Sequence, residues 1–245
     1  MNIKTDLIPL NTLKRSGKLI DVGFVVAHDT GNPYSISQQN VNFFKNTANK
    51  SYASAHIFVD DSDIIMCIPA FENAEQAFHV VYNSSIDNEI FGDDANDIAI
   101  GVELCYFPKD RNRTLKAYNN YVNVIVDLMI FHNLPYDKLT SHEILQPENR
   151  TDPNNALFYI DKNFDDLKKD VEVEYMNRKT NVDLTWEEIL QEALDSPEKM
   201  INAINAIVAM TKQQSDLGDI EQLKWLKEVF PKIYKLGVEQ GKLLK

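Results

Sequence analysis

Residues 97–106 read DIAIGVELCY, and this stretch decides the fold class that the sequence predicts. Both of its alternating sets of residues are apolar, which is the pattern of a strand buried on both faces of a sheet. Residues 21–28, DVGFVVAH, form a second buried run and end in His28. Residues 54–69, SAHIFVDDSDIIMCIP, place two apolar runs on either side of a polar turn and predict a hairpin.

Helices are predicted between these strands. Residues 115–131 carry apolar side chains at helical spacing, and either Ser35 or Ser37 is expected to cap an earlier helix. Residues 83–96 are rich in Asn and Asp and are expected to form a polar loop. Strands interspersed with helices predict an α/β domain, with a mixed central sheet flanked by helices.

A change of pattern near Glu174 predicts two domains, residues 1–173 and residues 174–245. The second part shows no strand pattern and is expected to be a small all-α domain. Its helices are predicted from three start signals, namely the capping box of Thr185 and Glu188, Ser196 followed by Pro197, and Gly218 followed by Asp219.

The bulk composition excludes several classes of protein. The 245 residues are 44% hydrophobic and 25% charged, as in an ordinary globular chain, and the net charge of −12 argues against binding nucleic acid through phosphate contacts. Two cysteines are too few for a disulfide scaffold and are expected to be buried. The N-terminus lacks the pattern of a signal peptide and no apolar run could span a membrane, so we expect synthesis in the cytoplasm and no membrane insertion.

The most informative polar stretch is residues 141–153, SHEILQPENRTDP. Two prolines predict a shaped loop, which would fix the His142 imidazole and the Asp152 carboxylate near one point. These are two of the three protein ligands that a catalytic zinc needs, and His28 is the best candidate for the third. The alternative is a surface pair or a hydrogen bond that stabilises the loop.

Glu103 interrupts the apolar stretch 97–106. Burying an unpaired charge costs several kcal/mol, so Glu103 is expected to face a polar cleft, a cation or water, unless the strand lies at a wet edge of the sheet. Three other histidines are weaker candidates. His56 is more often a satisfied packing histidine, His132 is expected to be structural or solvated, and His79 could line a site.

Five segments occur in one order along residues 20–164, namely VVAHDT, SAHIFVDDSDIIMCIP, AFH, NDIAIGVELCYF and SHEILQPENRTDPNNALF. Together they resemble the zinc-dependent N-acetylmuramoyl-L-alanine amidases, which include many phage endolysins and share their fold with peptidoglycan recognition proteins. The resemblance implies that His28, His142 and Asp152 bind Zn²⁺. It also implies that Glu103 is the acidic catalytic residue.

The resemblance extends to residues around this centre. Arg150 occupies the position of a lysine in many members and is expected to stabilise the oxyanion of the reaction. His79 and Thr30 are expected to contact the substrate. Ala55 replaces a tyrosine that assists catalysis in some relatives, so more of the chemistry is expected to depend on Glu103.

The implied activity is hydrolysis of the amide bond between N-acetylmuramic acid and L-alanine in bacterial peptidoglycan, with a zinc-activated water as nucleophile. A noncatalytic peptidoglycan-binding module of the same fold is the alternative, and it would be expected to lack a ligand or Glu103. An unrelated zinc peptidase is disfavoured because the chain has no HExxH motif. The two-part layout resembles a phage endolysin that reaches the wall through holin lesions. Its C-terminal helices would bind wall polymers, self-associate or merely extend the core.

Overall fold

The computed structural model of the chain describes residues 2–82 and 85–183. Its centre is a six-stranded sheet in the order β1–β4–β3–β5–β2–β6. All neighbouring strands are parallel except the β3–β4 hairpin. The strands are β1 (Lys4–Thr5), β2 (Phe24–Asp29), β3 (Ile57–Val59), β4 (Ile64–Met66), β5 (Ala99–Leu104) and β6 (Leu139–Ser141).

Seven α-helices and one 3₁₀ turn surround the sheet in the described residues, which confirms the predicted α/β class. The helices are α1 (Ser37–Asn46), α2 (Ser85–Phe91), α3 (Ala95–Ile98), α4 (Arg111–Phe131), α5 (His142–Leu145), α6 (Asn154–Leu157) and α7 (Phe164–Asp183), and the 3₁₀ turn is Phe158–Ile160. Within these residues, no helix combines the length and the hydropathy that crossing a membrane requires.

The two faces of the sheet have different roles. Val25 and Ala27 of β2 belong to the main core, which also contains the buried side chains of α4. Val26 belongs to a separate cluster, as expected for a strand whose side chains alternate between faces. His28 follows Val26 on this second face and is paired in register with Glu103 of β5. The pleat therefore places both polar side chains on the face away from α4.

The prediction of a loop at residues 83–96 was wrong for residues 85–91 and 95–96, where α2 and α3 form, while residues 83 and 84 lie outside the described residues. Polar side chains of this segment satisfy backbone groups, as Asp94 caps α3 and the buried Asp87 carboxylate accepts the first N–H of that helix. Phe91 also stacks on Phe24, with ring centroids 3.8 Å apart. Composition alone suggested a loop because Asn and Asp favour both turns and helix caps.

The predicted cap of α1 was also wrong. Ile36 is the N-cap residue and Ser37 is already helical. The Ser35 hydroxyl donates to the carbonyl of Asn32 instead, and the Ile36 N–H donates to the Gln39 side chain. The helix start is therefore stabilised by Gln39 in its first turn, and the Ser37 N–H donates to the Asp60 carboxylate at 2.7 Å.

The chain divides into two units after Tyr175. Helix α7 continues through residue 173, where the sequence predicted a domain boundary. The three C-terminal helices predicted from Thr185 onward lie outside the described residues. The division into a catalytic domain and a helical domain therefore stays a prediction.

A buried ion pair connects the N-terminal segment to the loop after β4. The Arg15 guanidinium donates to both carboxylate oxygens of Glu75, at 2.7 and 2.8 Å, and to the carbonyl of Ile8 at 2.9 Å. Arg15 and Glu75 are 9% and 8% exposed. Because removing one partner leaves the other charge buried and unpaired, the pair makes the fold sensitive to a single substitution.

We expect Arg15→Met to lower the free energy of unfolding by about 3–5 kcal/mol, because Glu75 would stay buried without its partner. Lys4→Met is the matched control. Lys4 pairs with Asp63 through a side chain that is 56% exposed, and such a surface pair contributes less than about 1 kcal/mol. Urea unfolding of the full chain, followed by circular dichroism, measures both changes. Equal losses in the two variants would contradict the prediction.

Candidate metal centre and catalytic cleft

Three predicted ligands meet at one edge of the sheet. His28 lies near the end of β2, and His142 directly follows the parallel neighbour β6. The carboxyl ends of parallel strands share an edge, which brings the two imidazoles together although they are distant in sequence. Their Nδ1 atoms are 3.1 Å apart, and each lies 3.0 Å from Oδ2 of Asp152.

The electrostatics of this triad are those of a buried site. His28, His142 and Asp152 are 2%, 6% and 9% exposed. Burial lowers the pKa of His28 to about 4, against the opposing effect of Asp152, so His28 is neutral at physiological pH. The close contact of His28 and Asp152 is therefore not an ion pair.

The donor set fits a zinc ion. Two imidazole nitrogens and one carboxylate oxygen converge at 3.0–3.1 Å from one another. Zinc bonds of 2.0–2.2 Å in tetrahedral geometry place neighbouring ligand atoms about 3.4 Å apart. Three protein ligands would leave the fourth position for water or substrate, which is the arrangement of catalytic zinc sites. A search of the described residues for clustered metal ligands finds the same group, His28, His142 and Asp152.

Short local contacts hold His142 in position. The loop predicted at residues 141–153 begins with one helical turn, α5, so that prediction was wrong for residues 142–145. The Ser141 hydroxyl caps this turn by accepting the N–H of Ile144 at 3.2 Å. The N–H of Glu143 donates to the carbonyl of Asp152 at 3.1 Å, which joins the two ligand-bearing segments through the backbone.

Asp29 connects the end of β2 to the segment after Asp152. Its carboxylate accepts the N–H of Gly31 at 3.0 Å and the N–H of Ala156 at 3.1 Å. Burial raises the pKa of Asp29 to about 6, although these backbone hydrogen bonds oppose the shift. Asp29 thus fixes the distance between His28 and the loop that carries Asp152.

Glu103 faces the same cleft as the triad. Strand β5 lies between β3 and β2, so Glu103 is not on an edge strand. Across residues 2–82 and 85–183, its Oε2 is a buried oxygen without a hydrogen-bond partner. Burial raises the pKa of Glu103 well above its usual value, and the charges of Asp152 and Asp29 raise it further, while Arg150 lowers it. A carboxylate in this environment binds a proton readily.

One cleft of about 320 Å³ contains all the predicted site residues. These are His28, Thr30, His79, Glu103, His142, Arg150 and Asp152. Arg150 is exposed and Thr30 is partly exposed, so both can meet a ligand that enters from solvent.

The remaining histidines and the cysteines have structural positions. His56 is fully buried, with Nε2 bonded to the carbonyl of Glu75 and Nδ1 accepting the N–H of Gly101, which is the arrangement of a satisfied packing histidine. His132 bonds the carbonyl of Ala70. Both cysteines are free and buried, which confirms their prediction as small buried side chains.

Sequence reasoning missed three residues that shape the centre: Asp29, Gln146 and Gly101. Nε2 of His142 lies 2.7 Å from Oε1 of Gln146, and Nε2 of His28 lies 3.0 Å from Nδ1 of His79. A Cβ atom at Gly101 would lie 2.6 Å from Cγ of His79, so only glycine leaves room for this ring. The signal in the sequence was a glycine two residues before Glu103 on the same strand face.

Comparisons with known proteins match this chain to one protein family. The model of the N-acetylmuramoyl-L-alanine amidase family matches residues 18–155, more than half of the chain. The N-acetylmuramoyl-L-alanine amidase BlyA of Bacillus subtilis is 32% identical over 163 residues, which are 63% of this chain and 44% of BlyA. The chain thus spans less than half the length of this curated relative.

Solved structures show the same fold. The catalytic domain of XlyA superposes with a TM-score of 0.55 at 23% identity, covering 70% of this chain and 99% of that domain. The Staphylococcus aureus hydrolase AmiA, solved in complex with its ligand, superposes with a TM-score of 0.57 at 21% identity, covering 75% and 87% of the two chains. These likenesses show the fold, and the family match over residues 18–155 shows that the chain belongs to the N-acetylmuramoyl-L-alanine amidase family.

Proposed function

We propose that this protein hydrolyses the amide bond between N-acetylmuramic acid and L-alanine in bacterial peptidoglycan. The observation that carries the proposal is the convergence of His28, His142 and Asp152 in one cleft with Glu103, whose Oε2 has no hydrogen-bond partner among the described residues. Metal-assisted hydrolysis needs such a triad beside a base, and it needs no nucleophilic serine or cysteine. The match to the amidase family supports the choice of bond.

In this proposal, His28, His142 and Asp152 would hold Zn²⁺. The bound ion would polarise the amide carbonyl and lower the pKa of a water molecule to about 7. Glu103 accepts the proton of the attacking water and later returns a proton to the leaving amine of L-alanine.

Residues at the cleft wall would orient the substrate. Arg150 is an exposed residue of the cleft wall, and its guanidinium is proposed to stabilise the oxyanion. Thr30 and His79 line the same cleft and are proposed to contact the muramoyl-peptide. Both ring nitrogens of His79 have protein partners, so it would meet substrate through a carbon edge of the ring.

The second candidate is a noncatalytic module that binds peptidoglycan with the same fold. The complete ligand triad and Glu103 favour the enzyme, because a binding module has no need for either. We further propose a phage or prophage endolysin that reaches the wall through holin lesions. Residues 1–173 would form its catalytic domain, and residues 174–245 would bind the wall or self-associate.

Digestion of purified cell walls tests the proposed reaction. We expect the full chain with Zn²⁺ to release new amino termini without new reducing sugars, because an amide and not a glycosidic bond is broken. A chelator should stop the release and added Zn²⁺ should restore it. New reducing sugars, or wall binding without any new amino termini, would contradict the proposed activity.

A further inference from the structure

Each predicted zinc histidine has a second contact on the side of the ring away from the triad. Nε2 of His142 is 2.7 Å from Oε1 of Gln146, which lies four residues later, and Nε2 of His28 is 3.0 Å from Nδ1 of His79. A neutral imidazole has one N–H and one lone pair. The partner at Nε2 therefore decides whether Nδ1 presents a lone pair to the triad.

The partner of His142 can only be an acceptor. The N–H of Val81 points at the same Gln146 oxygen, at 3.3 Å. Because a backbone N–H can only donate, the atom facing it must be the amide oxygen and not the amide nitrogen. Nε2 of His142 must therefore carry the proton that this oxygen accepts, and Nδ1 keeps its lone pair.

The partner of His28 is oriented in the same way. Nε2 of His79 lies 3.3 Å from the carbonyl of Ala99, which can only accept, so this nitrogen carries the hydrogen. Nδ1 of His79 is then an acceptor and takes the N–H of His28 Nε2. Gly101 gives the His79 ring the room to occupy this position.

We propose that Gln146 and His79 are positioning residues that hold His142 and His28 with hydrogen on Nε2 and a lone pair on Nδ1. This inference rests on the metal centre of the proposed function. It adds which residues set the affinity of that centre for zinc. Three lone-pair atoms at 3.0–3.1 Å repel one another unless a cation lies among them, so the two outer contacts preorganise the centre for a cation. Such partners typically account for 10–100-fold in metal affinity.

Zinc affinity of the full chain, measured by competition with a chromophoric chelator, tests the proposal. We expect Gln146→Leu and His79→Leu each to weaken zinc binding about 10–100-fold. Gln146→Glu and His79→Asn should bind zinc within a few-fold of wild type, because each new side chain has an oxygen that can accept the same hydrogen. Gln38→Leu, a partly buried glutamine on α1, is the matched control and should leave affinity unchanged.

A second readout separates positioning from a general loss of structure. In ¹⁵N-labelled, zinc-loaded protein, the Nε2 proton of His142 should give a hydrogen-bonded imidazole signal in wild type and Gln146→Glu. In Gln146→Leu, this proton should exchange with water and the signal should be lost. Thermal unfolding checks that each variant is folded. If one of the two Leu variants does not fold, the zinc affinity of the other one tests the proposal.

The outcomes distinguish this inference from the proposed function. Wild-type zinc binding and wall hydrolysis, with unchanged affinity in both Leu variants, would overturn the positioning role alone. Equal losses in the Leu variants and in the acceptor-retaining variants would also overturn it. A wild-type chain that binds no Zn²⁺ would overturn the metal centre and this inference together.

Discussion

Glu103→Gln should lower the rate of amide hydrolysis about 10²–10⁴-fold while zinc remains bound, because an amide cannot accept the proton of the attacking water. The substitution keeps the shape of the side chain and its position on β5, in register with His28 of β2. The rate of release of amino termini from cell walls, with the zinc content of the same samples, measures the effect. Glu148→Gln, an exposed position in the segment before Asp152, is the matched control and should keep the wild-type rate.

The role of Glu103 as a base also predicts how the hydrolysis rate depends on pH. Burial and the charges of Asp152 and Asp29 raise the pKa of Glu103, so its basic form is lost as the pH falls through the raised pKa. The wild-type rate should therefore fall toward acidic pH, and the residual rate of Glu103→Gln should not show this limb. A variant with bound zinc, wild-type rate and an unchanged profile would contradict the assignment of Glu103 as the base.

His142→Ala should abolish tight zinc binding and lower the hydrolysis rate by about 10³-fold or more, because Lewis-acid stabilisation of several kcal/mol is lost. His132→Ala is the matched control, since His132 bonds a backbone carbonyl and does not line the cleft. Wall hydrolysis, measured after chelation and again after zinc is added back, reports the loss of rate. Only chains with an intact triad should recover activity.

Thermal unfolding provides a measurement that does not depend on catalysis. A ligand at 100 times its dissociation constant stabilises the folded state by about 2.7 kcal/mol. Zinc should therefore raise the melting temperature of wild type and of His132→Ala, but not that of His142→Ala. A zinc-dependent rise that persists in His142→Ala would mean that the ion binds elsewhere.

The strands were the most predictable part of the fold, because burial on both faces gives an uninterrupted apolar run. Residues 97–106 and 21–28 predicted β5 and β2, although the observed strands are shorter than the apolar runs. Helix α4 begins at Arg111, four residues before its apolar pattern, because Asp110 caps it by accepting the N–H of Arg113. Composition failed at residues 85–96, where Asn and Asp cap helices and do not form a continuous loop.

The sequence by itself determined the α/β class and the residue types of the centre. A carboxylate within an apolar strand, and a histidine and an aspartate in one proline-bounded segment, are anomalies that local chemistry makes visible. Only the tertiary structure decided which atoms meet, because the parallel register of β2, β5 and β6 brings residues 28, 103 and 142 to one sheet edge. It also placed Gln146 and His79 behind the two imidazoles, since which ring nitrogen faces the triad depends on contacts that sequence spacing does not encode.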